Sequence, residues 1–317
     1  MPVDPVREPF LFVLAGTVGV LAFASLVSRL LQARAGGGTR AGELANLEAR
    51  IRSWWVMVGL LAGAVLLGRG AVIALFALVS AAALRELSAQ APAAVRDRGL
   101  DAACYALTAV QYLLVAHGDP RLLTVALPLA APILLPIAAL ASGGVAALQA
   151  RIAYRLWWIA IAGWCLSFVP ALALPGVAGA AGSLFFVWIV VVAQGSDVLQ
   201  YVFGKLYGRR PIAPAISPDK TVEGFAGGVL CATAIGTALG WMTPFGTTLA
   251  ALAALVVALL GFAGGLLLSG VKRDLGIKDW GTTIRGHGGV LDRVDSLVLS
   301  APVLCFLALA AGSRAAF

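Results

Sequence analysis

Ten apolar runs divide the chain, at about residues 9–31, 54–68, 71–85, 101–117, 122–142, 156–174, 182–203, 224–242, 246–268 and 296–313. Short polar stretches separate them, and roughly 20 apolar residues are what a helix needs to cross the hydrocarbon core of a bilayer. The pattern predicts an all-α, polytopic integral membrane protein with about nine to ten transmembrane helices. The second and third runs are short and separated only by Gly68, Arg69 and Gly70, which fits either a re-entrant pair or a hairpin of tilted spans. From Gly224 to Val271 no residue is charged, and Thr243, Pro244 and Gly246 interrupt the run, so two spans joined by a tight turn are expected. The first run follows Asp4, Arg7 and Glu8 and is longer than a secretion-signal core, so it reads as a retained helix. Residues 39–55 set Leu44, Leu47 and Ile51 on one side, with Glu48 and Arg52 opposite. That spacing fits an interfacial helix along the inner leaflet or a solvated helical linker.

Composition agrees with the pattern. Of 317 residues, 61% are hydrophobic and 12% charged, with mean hydropathy +0.95; soluble domains are about a quarter charged, so a soluble globular enzyme is excluded. The net charge of +8 is spread over many short loops and does not imply nucleic acid as a partner. Nineteen of the basic residues fall in alternate loops, against Arg7, Arg69, Arg121 and Arg314 on the other face. This bias places the first set in the cytoplasm, with both termini outside when all ten runs cross. The expected location is the inner (cytoplasmic) membrane, multi-pass, with the active site facing the cytoplasm. Cys104, Cys165, Cys231 and Cys305 sit in apolar runs without paired or metal-ligand spacing and read as small buried hydrophobes.

Charge concentrates in two windows, 196–224 and 269–296, which hold seven of the fifteen acidic residues and all four lysines, Lys205, Lys220, Lys272 and Lys278. Asp197 stands at the end of an otherwise uncharged span, where a carboxylate costs energy unless it has a cation or a partner. Ser217, Lys220 and Thr221, among Pro211, Pro214 and Pro218, form a rigid loop offering hydroxyls and an ammonium to an anion, just before Glu223 opens a helix. In the second window Gly286, Gly288 and Gly289 around His287 permit the close backbone approach that phosphate-cradling loops require. Asp292 and Asp295, three apart, share one face at the start of the last helix, where they suit a hard divalent cation, with Asp279 joining from the loop. The chain thus reads as two regions. Residues 1–180 are N-terminal membrane helices, a scaffold with lipid access, and 181–317 form a C-terminal catalytic membrane domain with motif loops 204–223 and 269–295.

These residues resemble the membrane-bound phosphatidate cytidylyltransferases, or CDP-diacylglycerol synthases. The family's C-terminal signature is matched by Ser269, Lys272, Arg273, Lys278, Asp279, Gly281, His287, Gly288, Gly289, Asp292, Arg293 and Asp295. Its upstream Ser-Pro-x-Lys-Thr-x-Glu-Gly is met by Ser217, Pro218, Lys220, Thr221, Glu223 and Gly224, and its span-ending Asp with Tyr and Gly-Lys by Asp197, Tyr201, Gly204 and Lys205. The likeness covers roughly residues 185–313. Arg285, Val198 and Gln200 depart from the pattern, as in a divergent branch.

The resemblance implies transfer of a cytidylyl group from CTP to phosphatidic acid, giving CDP-diacylglycerol and pyrophosphate for phospholipid synthesis. It implies Mg²⁺ on Asp197, Asp292 and Asp295, a second cation such as K⁺, and a homodimer. Asp292, Lys220, Asp279 and Arg293 would be catalytic. Ser217, Thr221, Glu223, Lys205, Lys272, Arg273, Lys278, His287, Gly288 and Gly289 would bind substrate. A CTP-dependent lipid or polyprenol kinase would use similar phosphate-binding parts, and a transporter would place its charges near the membrane midplane.

Overall fold

The computed structural model describes residues 7–34, 39–284 and 288–314; Arg285, Gly286 and His287 lie outside the described residues. The elements are α1 (Arg7–Arg34), α2 (Thr39–Leu67), α3 (Arg69–Ala89), α4 (Arg98–His117), α5 (Pro120–Gly143), α6 (Leu148–Trp158), α7 (Leu166–Ala171), α8 (Pro175–Ala178), α9 (Ser183–Tyr207), β1 (Pro211–Ala213), β2 (Ser217–Thr221), α10 (Val222–Ala238), α11 (Thr247–Asp274) and α12 (Leu291–Arg314). A π-helical turn, Ile159–Cys165, joins α6 to α7 in one span-length rod, Leu148–Ala171.

Among the described residues nine helices are long and apolar enough to cross a membrane, and α10, at 17 residues, is a shorter apolar helix. The protein is therefore the all-α, multi-pass membrane protein its hydrophobic pattern predicts. Large apolar side chains such as Phe12, Leu67 and Leu113 point outward, as lipid-facing positions do.

Two local expectations change. No proline interrupts residues 39–67, so the segment expected as an interfacial helix or a solvated linker is the first half of the continuous 29-residue α2. It packs on α1, where Gln32 donates to the Glu48 carboxylate at 3.2 Å and the Trp55 indole to Ser25 at 3.1 Å. The side chains of Leu44 and Leu47 lie outside the described residues. With α2 and α3 both span-length and joined at Gly68, whose φ of 98° suits glycine, the pair is a hairpin and not a re-entrant loop. The uncharged stretch does divide at Thr243, whose hydroxyl donates to the Gly240 carbonyl at 2.7 Å and accepts the Phe245 N–H at 3.2 Å.

The core runs across residue 180 without a break. One buried apolar cluster joins α3 and α4 to α9 and α12, with edge-to-face Phe76–Phe186 at 5.7 Å and tilted Phe168–Phe306 at 5.6 Å bridging the two halves. On the far side α10 lies close along α9. A Cβ on Gly228 would stand 2.3 Å from the Gln200 Cγ, which is how small residues let membrane helices approach. Gln200 thus has a packing role between helices, its amide donating to Ser196 at 2.8 Å, and Val198 is 47% exposed on the outer face. The two departures from the family pattern therefore stand at a helix–helix contact and on an outward face.

Candidate active site

The segment between α9 and α10 folds as an antiparallel hairpin, Pro211 opposite Thr221 and Ala213 opposite Ser217, where a loop was expected. The Ile216 N–H closes its turn on the Ala213 carbonyl at 3.0 Å. Thr221 and Glu223 hold the hairpin's exit. Thr221 is the N-cap of α10, its hydroxyl accepting the Gly224 N–H at 3.1 Å, and the Glu223 carboxylate accepts the N–H groups of Arg209 at 3.0 Å and Arg210 at 3.2 Å. Both side chains, expected to contact substrate, are thus bound to backbone amides, Thr221 to an orphan N–H at the start of α10 and Glu223 to two N–H groups of the connection between α9 and β1. Arg273 ties the two motif windows together, donating to the carbonyls of Ile216 at 3.0 Å and Ile277 at 2.8 Å.

Lys220 extends from β2 toward α11 and α12. Its ammonium stands 4.7 Å over the Phe262 ring, and a Cβ on Gly265 would meet the Lys220 Nζ at 3.2 Å and the Asp295 Oδ2 at 3.5 Å. Gly265 is therefore the gap through which α11 lets the ammonium approach the carboxylate. Asp197 joins the group from α9, facing Ser296 and within electrostatic reach of Asp295, Lys220 and Arg293. It lies ten residues before the end of α9, about 15 Å along the helix, so the site is recessed deeper than a span-ending aspartate would be. Among the described residues none of Asp197, Asp295 and Lys220 is in an ion pair. The Arg293 Nε is buried and has no hydrogen-bond partner among the described residues. Two carboxylates side by side with an ammonium and an unused guanidinium donor suit a ligand carrying both a cation and phosphate oxygens.

Asp292 is differently placed. It is buried, its Oδ1 2.6 Å from the Lys272 ammonium, while its Oδ2 accepts the N–H groups of Trp280 and Gly289, both at 2.9 Å. This residue, expected as a metal ligand, has both oxygens engaged by the protein, and the Lys272 ammonium, expected to face substrate, donates to one of them. Gly288, at φ 84°, leaves room where a Cβ would stand 2.8 Å from the Asp292 Oδ2 and 3.0 Å from the Asp279 Cβ. Asp279 is therefore beside Asp292 but exposed to solvent. The glycine-rich segment does not offer its amides of 289–291 to phosphate, because Gly289 donates to Asp292 and Val290 and Leu291 donate to Glu86. Lys205 and Lys278 are exposed at the rim, Lys205 5.9 Å over the Tyr201 ring. Ser217 sits in β2 opposite Ala213, and His287 lies outside the described residues.

Sequence reading missed four contributors. Glu86 and Gln90, from α3, reach the second window, Gln90 donating to the Trp280 carbonyl at 3.3 Å. Trp280 is itself fully buried under it. Gln194, one turn before Asp197 on α9, donates to the Arg293 carbonyl at 3.0 Å and the Ser296 hydroxyl at 3.2 Å, locking α9 to α12. For Glu86 the signal was weak, an acid beside Arg85 directly after the apolar run 71–85.

The chain is 32% identical over 299 residues, 92% of its length and 96% of the relative's, to the uncharacterized protein YnbB of Escherichia coli (strain K12). It is 46% identical over 127 residues to a phosphatidate cytidylyltransferase of Mycobacterium leprae, covering 39% of each chain. It is 36% identical over 128 residues to one of Staphylococcus haemolyticus, covering 40% of this chain and 49% of the relative. The matches to these two enzymes thus span less than half of their length. The Cytidylyltransferase family model matches residues 48–310, and with the bulk of the chain so covered, this multi-pass membrane protein belongs to the cytidylyltransferase family.

Proposed function

We propose that the protein transfers a cytidylyl group from CTP to phosphatidic acid, releasing pyrophosphate and leaving CDP-diacylglycerol in the membrane. The observation that carries this reading is the approach of Lys220 and Asp295 to each other at Gly265, with Asp197 on α9 within electrostatic reach of both. A phosphate oxygen of the lipid forms a bond to the α-phosphorus of CTP as the bond to the bridging oxygen of the β-phosphate breaks. The lipid phosphate is already ionised, so no protein base or nucleophile is required, and catalysis rests on positioning and charge neutralisation.

Asp197 and Asp295 suit Mg²⁺, a hard cation usually held by one or two carboxylates plus substrate phosphates. Among the described residues no group of three or more acidic, histidine or cysteine side chains stands ready to enclose a metal, so phosphate oxygens and water would complete its shell. Bound there, the ion would neutralise developing phosphate charge. Lys220 and Arg293 neutralise the remaining negative charge and orient the α-phosphate, while exposed Lys205 and Lys278 attract the polyphosphate to the rim. Asp292 holds the loop that carries Asp279. The basic-loop bias puts this end of the bundle at the cytoplasmic leaflet, where a soluble nucleotide and a lipid headgroup meet.

The test is incubation of purified protein with phosphatidic acid, Mg²⁺ and CTP labelled at either the α- or the γ-phosphorus. Label from the α-position in the lipid phase, with stoichiometric pyrophosphate and loss in Asp295→Asn, is the expected result. Lipid label from the γ-position would overturn the reading in favour of a kinase. Absence of lipid label across phosphatidic acid and polyprenyl phosphate acceptors would also overturn it. Crosslinking of the protein in bilayers checks the two-copy assembly implied by the resemblance.

A further inference from the structure

Glu86 stands three residues before the end of α3, 4% exposed, nearly 200 residues from the motifs it touches. Its Oε1 accepts the Thr283 hydroxyl and the Val290 N–H, both at 2.8 Å, and its Oε2 accepts the Leu291 N–H at 3.0 Å. One carboxylate therefore grips Thr283 on one side of the glycine-rich segment and the opening amides of α12 on the other. An acid in a membrane helix is costly unless its lone pairs are used. Here they are used by donors at a helix N-terminus, where negative charge is favoured. The sequence makes room for it: a Cβ on Gly281 would stand 3.0 Å from the Glu86 Oε1, and one on Gly289 2.5 Å from the Oε2. The consecutive amides of 289, 290 and 291 are thus divided between two carboxylates, Asp292 from α12 itself and Glu86 from α3. Where α12 starts decides where Arg293 and Asp295, two and four residues further on, are carried.

We propose that Glu86 is a positioning residue for cytidylyl transfer, fixing the start of α12 so that Asp295 and Arg293 stand against Asp197 and Lys220. The inference rests on the transfer reading above and extends it, since it gives the N-terminal half a part in the chemistry. Glu86 touches none of the reacting groups and acts through Val290, Leu291 and Thr283. Gly289 then serves as the space the carboxylate occupies and not as a phosphate cradle.

The experiment uses the full-length protein in lipid nanodiscs, with E86A, E86Q, G289A and the E86A/G289A double variant. E86A is expected to lower kcat about 10- to 100-fold, as loss of an orienting partner does, with KM for CTP changed less than about threefold. E86Q, which keeps the size and an acceptor oxygen, is expected to lose about tenfold and is the variant to read where E86A does not purify folded. G289A is expected to impair the otherwise unchanged protein and to add less than about threefold to E86A, because the group it clashes with is gone. Hydrogen exchange at the Val290 and Leu291 amides should quicken in E86A and E86Q while the 211–221 hairpin is unchanged.

Unchanged kcat in E86A or E86Q would overturn the proposal, as would losses of E86A and G289A that simply multiply. So would exchange that quickens throughout the helices in step with a lower melting temperature. If the unsubstituted protein makes no CDP-lipid, the transfer reading fails by itself. The exchange rates of Val290 and Leu291 then decide the Glu86 anchor independently, and unchanged rates would overturn it.

Discussion

At the corner where α4 and α6 begin, each of two partly buried acids has its own buried arginine. Asp97 pairs with Arg151 at 2.5 Å and Asp101 with Arg155 at 2.7 Å, and Arg155 is fully buried and also bonded to the Val95 carbonyl. Ser142 and Ser88 add hydroxyls to the two carboxylates at 2.7 and 2.6 Å, and Arg151 donates further to the carbonyls of Ala139 and Gly144. Across the bundle Asp197, Asp295 and Lys220 stand close without an ion pair among the described residues. In the first cluster each carboxylate has its own ion-pair partner, although the Arg151 Nε has no hydrogen-bond partner among the described residues, and the pairs lock the α3–α4 connection against α5 and α6. The second has like charges adjacent and neither carboxylate in an ion pair among the described residues, which is the state expected of a group whose missing partners arrive with substrate. Lys272–Asp292 lies between the two kinds, a closed pair set beside an open site.

The comparison can be broken at several points. Arg155→Met strands Asp101 beside an apolar wall, and removal of one partner of a buried pair costs about 3–5 kcal/mol. A large fall in melting temperature, largely restored by a second change of Asp101→Leu, is the expected outcome; an unchanged melting temperature would show that the first cluster is not holding the corner. Asp295→Asn should behave in the opposite way, losing transfer by about 10²–10³-fold while the melting temperature is unchanged or raised, since a like-charge contact is relieved. Its loss of fold would make the two clusters alike.

Acid supplies a smaller, graded test. Burial pushes the Asp97 carboxyl up, but bonds from the Ser142 hydroxyl, the Leu100 N–H and Arg151, with the Arg151 charge, outweigh it and hold the group below its ordinary value. A carboxyl lowered in the folded state contributes stability that is full above its unfolded value of about 4 and is lost as pH falls through the folded one. Melting temperature should therefore drop in that acidic window, and the drop should shrink in Asp97→Asn. The smallest effect belongs to Val198→Ala: the residue faces outward, so stability should move by no more than about 0.5 kcal/mol and label transfer should not change. A substantial loss of transfer there would mean that the departure at 198 belongs to the site.

Local spacing revealed part of this site and concealed the rest. Asp197, Lys220 and Asp295 were legible because each is an unusual charge beside an apolar run or in a dense motif. Asp292 was legible as a residue but not in its role, because sequence carries no sign that Lys272 and two backbone amides would take up its oxygens. Gly289 misled for a related reason: a glycine marks close approach without saying what approaches, and here it is Glu86. Arg151 and Arg155 counted only as loop charges that orient the helices, since their partners lie 54 residues away in chain order.

By itself the sequence determined that this is a polytopic helical membrane protein, where most of its helices lie and in which two windows its charges concentrate. Apolar length and charge placement are properties of contiguous residues, and the bilayer reads them one segment at a time. Only the tertiary structure decided which charges are consumed and which are left open. That depends on side chains from helices far apart in the chain meeting at one end of the bundle, α3 with α12, α9 with α12, and the hairpin with α11. A carboxylate's role follows from the donors packed around it, and those donors are chosen by packing rather than by neighbours in sequence.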